Sequence, residues 1–94
     1  MDLEFDWDPA KAVANVRKHG VTFDEASTVF GDPLSSVFPD PDHSLSEERL
    51  VLVGRSDQGR VLLVMFTERP PRVRLISARP ATRPERAAYE AGDL

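Results

Sequence analysis

The chain contains no cysteine in its 94 residues, so it has neither disulfide bonds nor thiolate metal ligands. Its two histidines, His19 and His43, are separated by 23 residues, which is not the spacing of a structural zinc site. A glycine-rich phosphate loop of the Walker or dinucleotide type is also absent. We therefore expect no metal and no cofactor.

Long apolar runs are missing as well. The longest, residues 50–53 and 61–66, fall far short of the ~20 residues that span a bilayer. The first residues, MDLEFDWD, are acidic where a secretory signal would be basic and then apolar. These features predict a cytoplasmic protein without membrane contact, and the length favours one domain over residues 1–94.

Lysine is absent from the second half of the chain, and this makes the charge distribution uneven. Residues 1–48 carry three cations against eleven carboxylates, a net −8, whereas residues 49–94 carry nine arginines against five carboxylates, a net +4. Arginine binds phosphate or carboxylate through paired planar contacts, so its exclusive use favours an anion-binding surface. A genome rich in GC codons would produce the same bias, and both explanations stay open.

The first part of the chain reads as one strand and two helices. Residues 3–7 alternate apolar and acidic side chains, as a half-buried strand does. Asp8 and Pro9 then open a helix over residues 9–19, with Val13 and Val16 as its apolar pair and Gly20 as its end. Thr22 and Glu25 have capping-box spacing for a second helix.

The second part reads mainly as strands. We expect them over residues 34–38, 49–55, 60–68 and 73–78, with a turn at 56–59 and another at 69–72. Thr82 and Glu85 repeat the capping-box spacing and open a last helix through Tyr89. The order β-α-α-β-β-β-β-α predicts an α+β domain, with one antiparallel sheet and the helices on one of its faces.

Many residues of a known family occur here in order. They are Phe5, Trp7, Asp8, Lys11, Asn15, Lys18, His19, Gly20, Val21, Phe23, Glu25 and Ala26, followed by Asp32-Pro33, Glu47-Glu48-Arg49, Thr67, Arg69, residues 74–79, Glu85 and Tyr89. This series resembles the signature of the BrnT family of bacterial toxins, over nearly the whole chain. One departure is Pro80, which stands where relatives commonly have lysine.

The resemblance implies a RelE-like fold and a metal-free ribonuclease that arrests translation by cutting RNA. It also implies a neutralising antitoxin of the BrnA kind with a ribbon-helix-helix domain, through which alone the toxin would reach operator DNA. The alternative is a catalytically weak relative that acts as a co-repressor bound to its antitoxin. If the missing lysine normally grips phosphate, Arg83 is the candidate to replace it.

Metal-free cleavage of RNA needs a base, an acid and cations around the phosphate. His19 is the candidate acid, because a helix C-terminus favours the charged form of imidazole, and Lys18 beside it is a candidate substrate contact. Both side chains also suit the end of a helix without any substrate. His43 is a second acid–base candidate, in a loop rich in proline and aspartate.

The remaining candidates come from the second half. Arg79 is a possible phosphate clamp next to a helix N-terminus, or the partner of a carboxylate such as Glu85. Strict alternation places Arg79 on the sheet face opposite Arg74. The general base would be Glu68 if the fold brings it near Arg79. Further candidate substrate contacts are Arg49, Arg74 and Tyr89, although Arg49 also suits a local ion pair and Tyr89 suits the edge of the core.

Overall fold

The computed structural model describes residues 3–40 and 48–94. In order, these residues form β1 (Glu4–Asp6), α1 (Pro9–His19), α2 (Phe23–Thr28), β2 (Ser36–Pro39), β3 (Leu50–Arg55), β4 (Val61–Arg69), β5 (Arg72–Pro80) and α3 (Arg83–Ala91). A 3-10 turn over Val29–Gly31 continues from α2. The predicted α+β class and the order of elements are confirmed. His43 lies outside the described residues.

Local capping explains where the helices begin and end. The Asp8 side chain accepts a hydrogen bond from the backbone N–H of Ala10 at 2.8 Å, and Gly20 ends α1 in the left-handed region at φ 68°. Thr22 and Glu25 form only half of the expected capping box, because the Glu25 carboxylate turns towards Arg60 instead.

The sheet has the strand order β1-β5-β4-β3-β2. Neighbouring strands are antiparallel except β1 and β5, which pair in parallel through Phe5 and Val73. The expectation of a wholly antiparallel sheet was therefore wrong at this edge. Alternation in a single strand reports which residues are buried, but it does not report the direction of a partner that is distant in sequence.

The main core lies on one side of the sheet, which we call the closed face. It is formed by the buried residues Val21, Phe23, Ala26, Val29, Leu52, Leu62, Val64, Phe66, Val73, Leu75 and Ala78. Trp7 packs edge-on to Phe23 with ring centroids 5.7 Å apart, so it joins the first strand to this core. Helix α2 thus covers the closed face.

Helix α1 buries a different face from the one predicted. Val13 and Val16 are 54% and 45% exposed, whereas the polar Asn15 is buried at 5%. The reason is the position of α1, which lies along the edge of β5 and presents Asn15 to the backbone of that strand. The apolar pair expected from spacing is therefore on the solvent side.

Helix α3 packs against the other side of the sheet, which we call the open face. Tyr89 and Ala81 contact a small cluster made by Val53, Val61 and Leu63. The expectation that all helices share one face was wrong, because both faces of β3 and β4 are apolar and each needs cover. Helix α3 covers only part of its face.

Candidate functional site

A β-bulge in β5 decides where Arg79 points. Met65 pairs with Ser77 and Phe66 pairs with Leu75, so Ile76 is an extra residue that shifts the register. Beyond the bulge Ala78 takes the closed face, and Arg79, paired with Leu63, takes the open face. Strict alternation had placed Arg79 on the opposite face from Arg74. The bulge puts both on the same face.

The open face holds an apolar groove of about 530 Å³ beside α3. Its lining consists of Phe38, Pro39, Asp40, Val51, Val53, Leu63, Met65, Arg79, Glu85 and Leu94. The volume falls within the range of about 300–1,000 Å³ that is usual for ligand pockets, and an apolar wall with a few polar groups is their usual chemistry.

A second cavity, the α1 cleft, measures about 430 Å³ and lies between α1 and β5. Its lining consists of Lys11, Ala14, Asn15, Lys18, His19, Met65, Ile76, Ser77 and Arg79. Three cations and a histidine meet here, and among the described residues no carboxylate lines the cleft. In a chain of net charge −4, the cleft thus gathers positive charge at one place.

Asn15 joins the two walls of the α1 cleft. Its side-chain oxygen accepts from the N–H of Ala78 at 3.0 Å, and its side-chain nitrogen donates to the carbonyls of Ala78 and Val21, each at 2.9 Å. Strand β1 pairs with β5 only as far as Arg74, so the amide of Asn15 replaces a strand neighbour further along. These bonds fix α1 against β5 at Ala78, the residue before Arg79.

Arg79 makes a bidentate ion pair with Glu85 at the start of α3. Its Nη1 donates to Glu85 Oε1 at 2.9 Å, and its Nη2 donates to Oε2 at 3.0 Å. The Arg79 guanidinium lowers the pKa of Glu85 to about 2, with further help from hydrogen bonds donated by Thr82. The same contact raises the pKa of Arg79. The alternative raised from sequence, a pairing with Glu85, is thus observed, and Arg79 still lines both cavities.

The structure brings together some of the predicted site residues. His19 and Lys18 line the α1 cleft with Arg79. Arg74 shares the open face but lies 3.6 Å from Asp6, whose Oδ1 is buried without a hydrogen bond. Arg49 precedes β3, where continued alternation gives it the same face as Val51.

Glu68 is not brought near Arg79. It pairs with Val73 near the end of β4, on the closed-face side, whereas Arg79 pairs with Leu63 five residues back on the open face. At about 3.3 Å a residue, the two positions are roughly 17 Å apart along the strand. The interpretation of Glu68 as the base for Arg79 is therefore corrected by the fold.

Tyr89 lies at the edge of the core, the second of its two predicted positions, and Arg83 lies outside both cavities. The Tyr89 hydroxyl donates to Asp32 Oδ2, and the guanidinium of Arg55 lies 5.7 Å from its ring centroid. Although burial opposes it, hydrogen bonds from Tyr89, Arg55 and Leu34 lower the pKa of Asp32. Tyr89 is thus an anchor of α3 and not a free stacking surface. Arg83 is exposed at the first turn of α3, and neither cavity includes it in its lining.

Sequence reasoning missed Lys11, Met65 and Ser77 as residues of the site. A signal for Lys11 was present, because Lys11, Asn15 and Lys18 are four and three residues apart and so share one face of a helix. Met65 and Ser77 had no such signal. They become neighbours of Arg79 only through strand pairing and the bulge.

Within residues 3–40 and 48–94, no group of three or more His, Cys, Asp or Glu side chains is placed to hold a metal ion. No helix in these residues is long and apolar enough to cross a bilayer.

Comparison with known proteins places these features in a family. A sequence profile described as the ribonuclease toxin BrnT of type II toxin-antitoxin systems matches residues 7–85. The chain belongs to the BrnT family. The matched segment contains both α1 and Arg79 with Glu85, and the predicted resemblance is confirmed.

A solved structure supports the fold. The chain is similar to the ribonuclease toxin BrnT of Brucella abortus with a TM-score of 0.67 and 24% identity, over 87% of this chain and 100% of that one. At this identity the likeness establishes the fold alone. A search among curated proteins finds no significant match.

Proposed function

We propose that this BrnT-family chain is an endoribonuclease that cuts RNA on its open face, at Arg79, without a metal ion. The observation that carries the proposal is the position of Arg79 between the apolar groove and the α1 cleft, whose described lining includes no carboxylate. A strand of RNA alternates charged phosphates with flat bases, whose faces can stack on an apolar surface. Cations beside an apolar wall suit both parts of that chain.

The proposed reaction uses the 2′-hydroxyl of the RNA as its nucleophile. The bond from O2′ to phosphorus forms, the bond from phosphorus to O5′ breaks, and a 2′,3′-cyclic phosphate and a 5′-hydroxyl result. Arg79 would stabilise the charge that builds on the phosphate oxygens, and His19 would donate a proton to O5′. Lys18 and Lys11 would hold neighbouring phosphates.

The proton of the 2′-hydroxyl must pass to a general base as the bond to phosphorus forms, and two carboxylates are poorly suited to accept it. Glu85 is a poor candidate, because both its oxygens accept hydrogen bonds and its pKa is held at about 2. A carboxylate with so low a pKa takes up a proton weakly at neutral pH. Glu68 lies on the other face of the sheet.

We also propose the partner that the family resemblance implies, a BrnA-like ribbon-helix-helix antitoxin in the same cytoplasm. It would cover the open face and exclude RNA, and the toxin would reach operator DNA only through it. The guanidinium edge of Arg79 that Glu85 does not occupy favours a carboxylate on the antitoxin, and the apolar groove favours apolar side chains beside it. Association should then slow as salt rises, because salt screens the attraction between charges.

The test is cleavage of fluorescent single-stranded RNA by purified protein, with and without EDTA. We expect cleavage in both conditions, and a large loss in Arg79→Lys, because lysine cannot make paired contacts with a phosphate. Arg86→Lys is the matched control, since Arg86 is exposed on α3 and lines neither cavity.

The possible outcomes separate the hypotheses. Loss of all cleavage in EDTA would overturn the metal-free mechanism. If folded protein cleaves RNA neither with nor without EDTA, the alternative function as a co-repressor is favoured. A test of His19→Ala needs a stability measurement beside it, because loss of a cation at a helix end costs about 0.3–1 kcal/mol by itself.

A further inference from the structure

The hydrogen bonds of Arg79 use one edge of its guanidinium and leave the other. Nη1 donates to Glu85 Oε1 and to the carbonyl of Pro80 at 3.2 Å, and Nη2 donates once, to Glu85 Oε2. An arginine has five N–H groups in a rigid fork. The two that remain, on Nε and on the outer side of Nη2, lie side by side on one edge, and no described residue accepts from them.

The carboxylate that holds Arg79 is itself fixed. Glu85 Oε1 also accepts from the backbone N–H of Thr82 at 2.8 Å, as part of the complete capping box of α3. Further along, α3 is anchored to the sheet by the bond between Tyr89 and Asp32. The Glu85 carboxylate is therefore held in one position, and its two oxygens set the plane of the Arg79 guanidinium.

We propose that Glu85 is a positioning residue of this site, which holds Arg79 end-on so that its remaining edge meets two oxygens of one RNA phosphate. This inference rests on the proposed function and explains how the guanidinium of Arg79 is oriented towards the phosphate. A paired contact needs both N–H groups in the plane of the phosphate oxygens, so a small rotation removes one bond.

The test is a double-mutant cycle between positions 79 and 85, read as kcat and KM for RNA cleavage. Glu85→Gln keeps an oxygen for Thr82 but places an amide N–H against Arg79. In the wild-type background we expect kcat to fall roughly 10- to 100-fold with KM little changed, because misplacement of a group that acts in the transition state has this effect. In the Arg79→Lys background, Glu85→Gln should cause no further fall.

A control separates aiming from helix capping. Thr82→Ala removes the hydroxyl that accepts from the N–H of Glu85 and leaves Arg79 untouched. It should lower thermal stability and leave kcat unchanged while the protein stays folded. An equal loss of kcat in Thr82→Ala and Glu85→Gln would show a structural role and overturn the proposal.

A binding measurement keeps this test separate from that of the proposed function. The probe is a labelled single-stranded RNA with 2′-O-methyl groups, which cannot be cut by its own 2′-oxygen. If the wild-type protein binds the probe but does not cut RNA, the proposed activity is wrong. The double-mutant cycle is then measured as the Kd for the probe. Tighter binding or faster cleavage by Glu85→Gln would mean that Glu85 competes with phosphate, and equal effects in both backgrounds would mean that it acts independently of Arg79. Either result overturns the positioning role.

Discussion

The two faces of the sheet are both apolar, but they are used differently. The closed face is packed by α2 and by the rings of Trp7, Phe23, Phe30 and Phe66. The open face is covered by α3 only around Tyr89, and beside it the apolar side chains line a groove. The closed face therefore supplies most of the burial that stabilises the fold, and the open face keeps apolar surface and Arg79 available for a ligand.

Neighbouring leucines on β4 give the sharpest test of this contrast, because Leu62 points to the closed face and Leu63 to the open face. Leu62 is 0% exposed, so Leu62→Ala should cost about 2–5 kcal/mol of unfolding free energy. Leu63→Ala should cost less, since the groove beside it is already open. Chemical denaturation measures both, and equal costs would remove the distinction between the faces.

Replacement of Asn15 tests whether the contact between α1 and β5 matters for stability alone or also for RNA cleavage. Asn15→Ala leaves buried backbone groups of Ala78 and Val21 without partners, and we expect a loss of about 2–3 kcal/mol. RNA cleavage should fall by more than the loss of folded protein explains, because α1 is then no longer held in place relative to Arg79. Val16→Ala on the exposed side of α1 is the control for both measurements. Unchanged cleavage in folded Asn15→Ala would separate α1 from the site.

Tyr89→Phe tests the anchor of α3 on the open face. It removes the hydrogen bond to Asp32 while keeping the ring, which should cost about 1–2 kcal/mol because the acceptor is charged and the site is partly exposed. Cleavage at a temperature where the variant is folded should be nearly unchanged. A loss of activity as large as that of Arg79→Lys would return Tyr89 to the list of substrate contacts.

Acid should weaken the attachment of α3 by a smaller amount, because solvent screens the Arg79–Glu85 pair, whose side chains are each 31% exposed. The folded pKa of Glu85 is lowered from 4.5 to about 2, so its contribution is present above the unfolded pKa and is lost as pH falls through that window. Stability of the wild type should therefore decline from about pH 5 towards pH 2, and Glu85→Gln should show less of this decline. If the unfolding free energies of the wild type and Glu85→Gln depend on pH in the same way, this prediction is wrong.

Much of the fold could be predicted from local chemistry. The caps at Asp8, Gly20 and Thr82 act within one turn of the helix, so their residues suffice to locate the ends of α1 and the start of α3. The start of β2 was predicted two residues early, because Asp32 Oδ1 accepts from the N–H of Leu34 and holds that residue in a turn.

The site could be predicted only in part. His19, Lys18 and Arg79 were found from residue type and from the family resemblance, and they do line one cleft. Glu68 was wrongly placed near Arg79, since residue type does not tell which face of the sheet a side chain occupies. For Tyr89 the second alternative, the edge of the core, is the one observed, and only the fold shows that Asp32 accepts from its hydroxyl.

By itself the sequence determined the helices, most of the strands, the polarised charge and the family, because each depends on neighbours along the chain or on residues in order. Tertiary structure alone decided the parallel edge at β1, the placement of Asn15 against β5 and the face on which Arg79 lies. The last depends on a single extra residue, Ile76, opposite β4. Side chains in a strand alternate with a period of two, so one unpaired residue reverses the face of all that follow, and only the pairing of the strands reveals it.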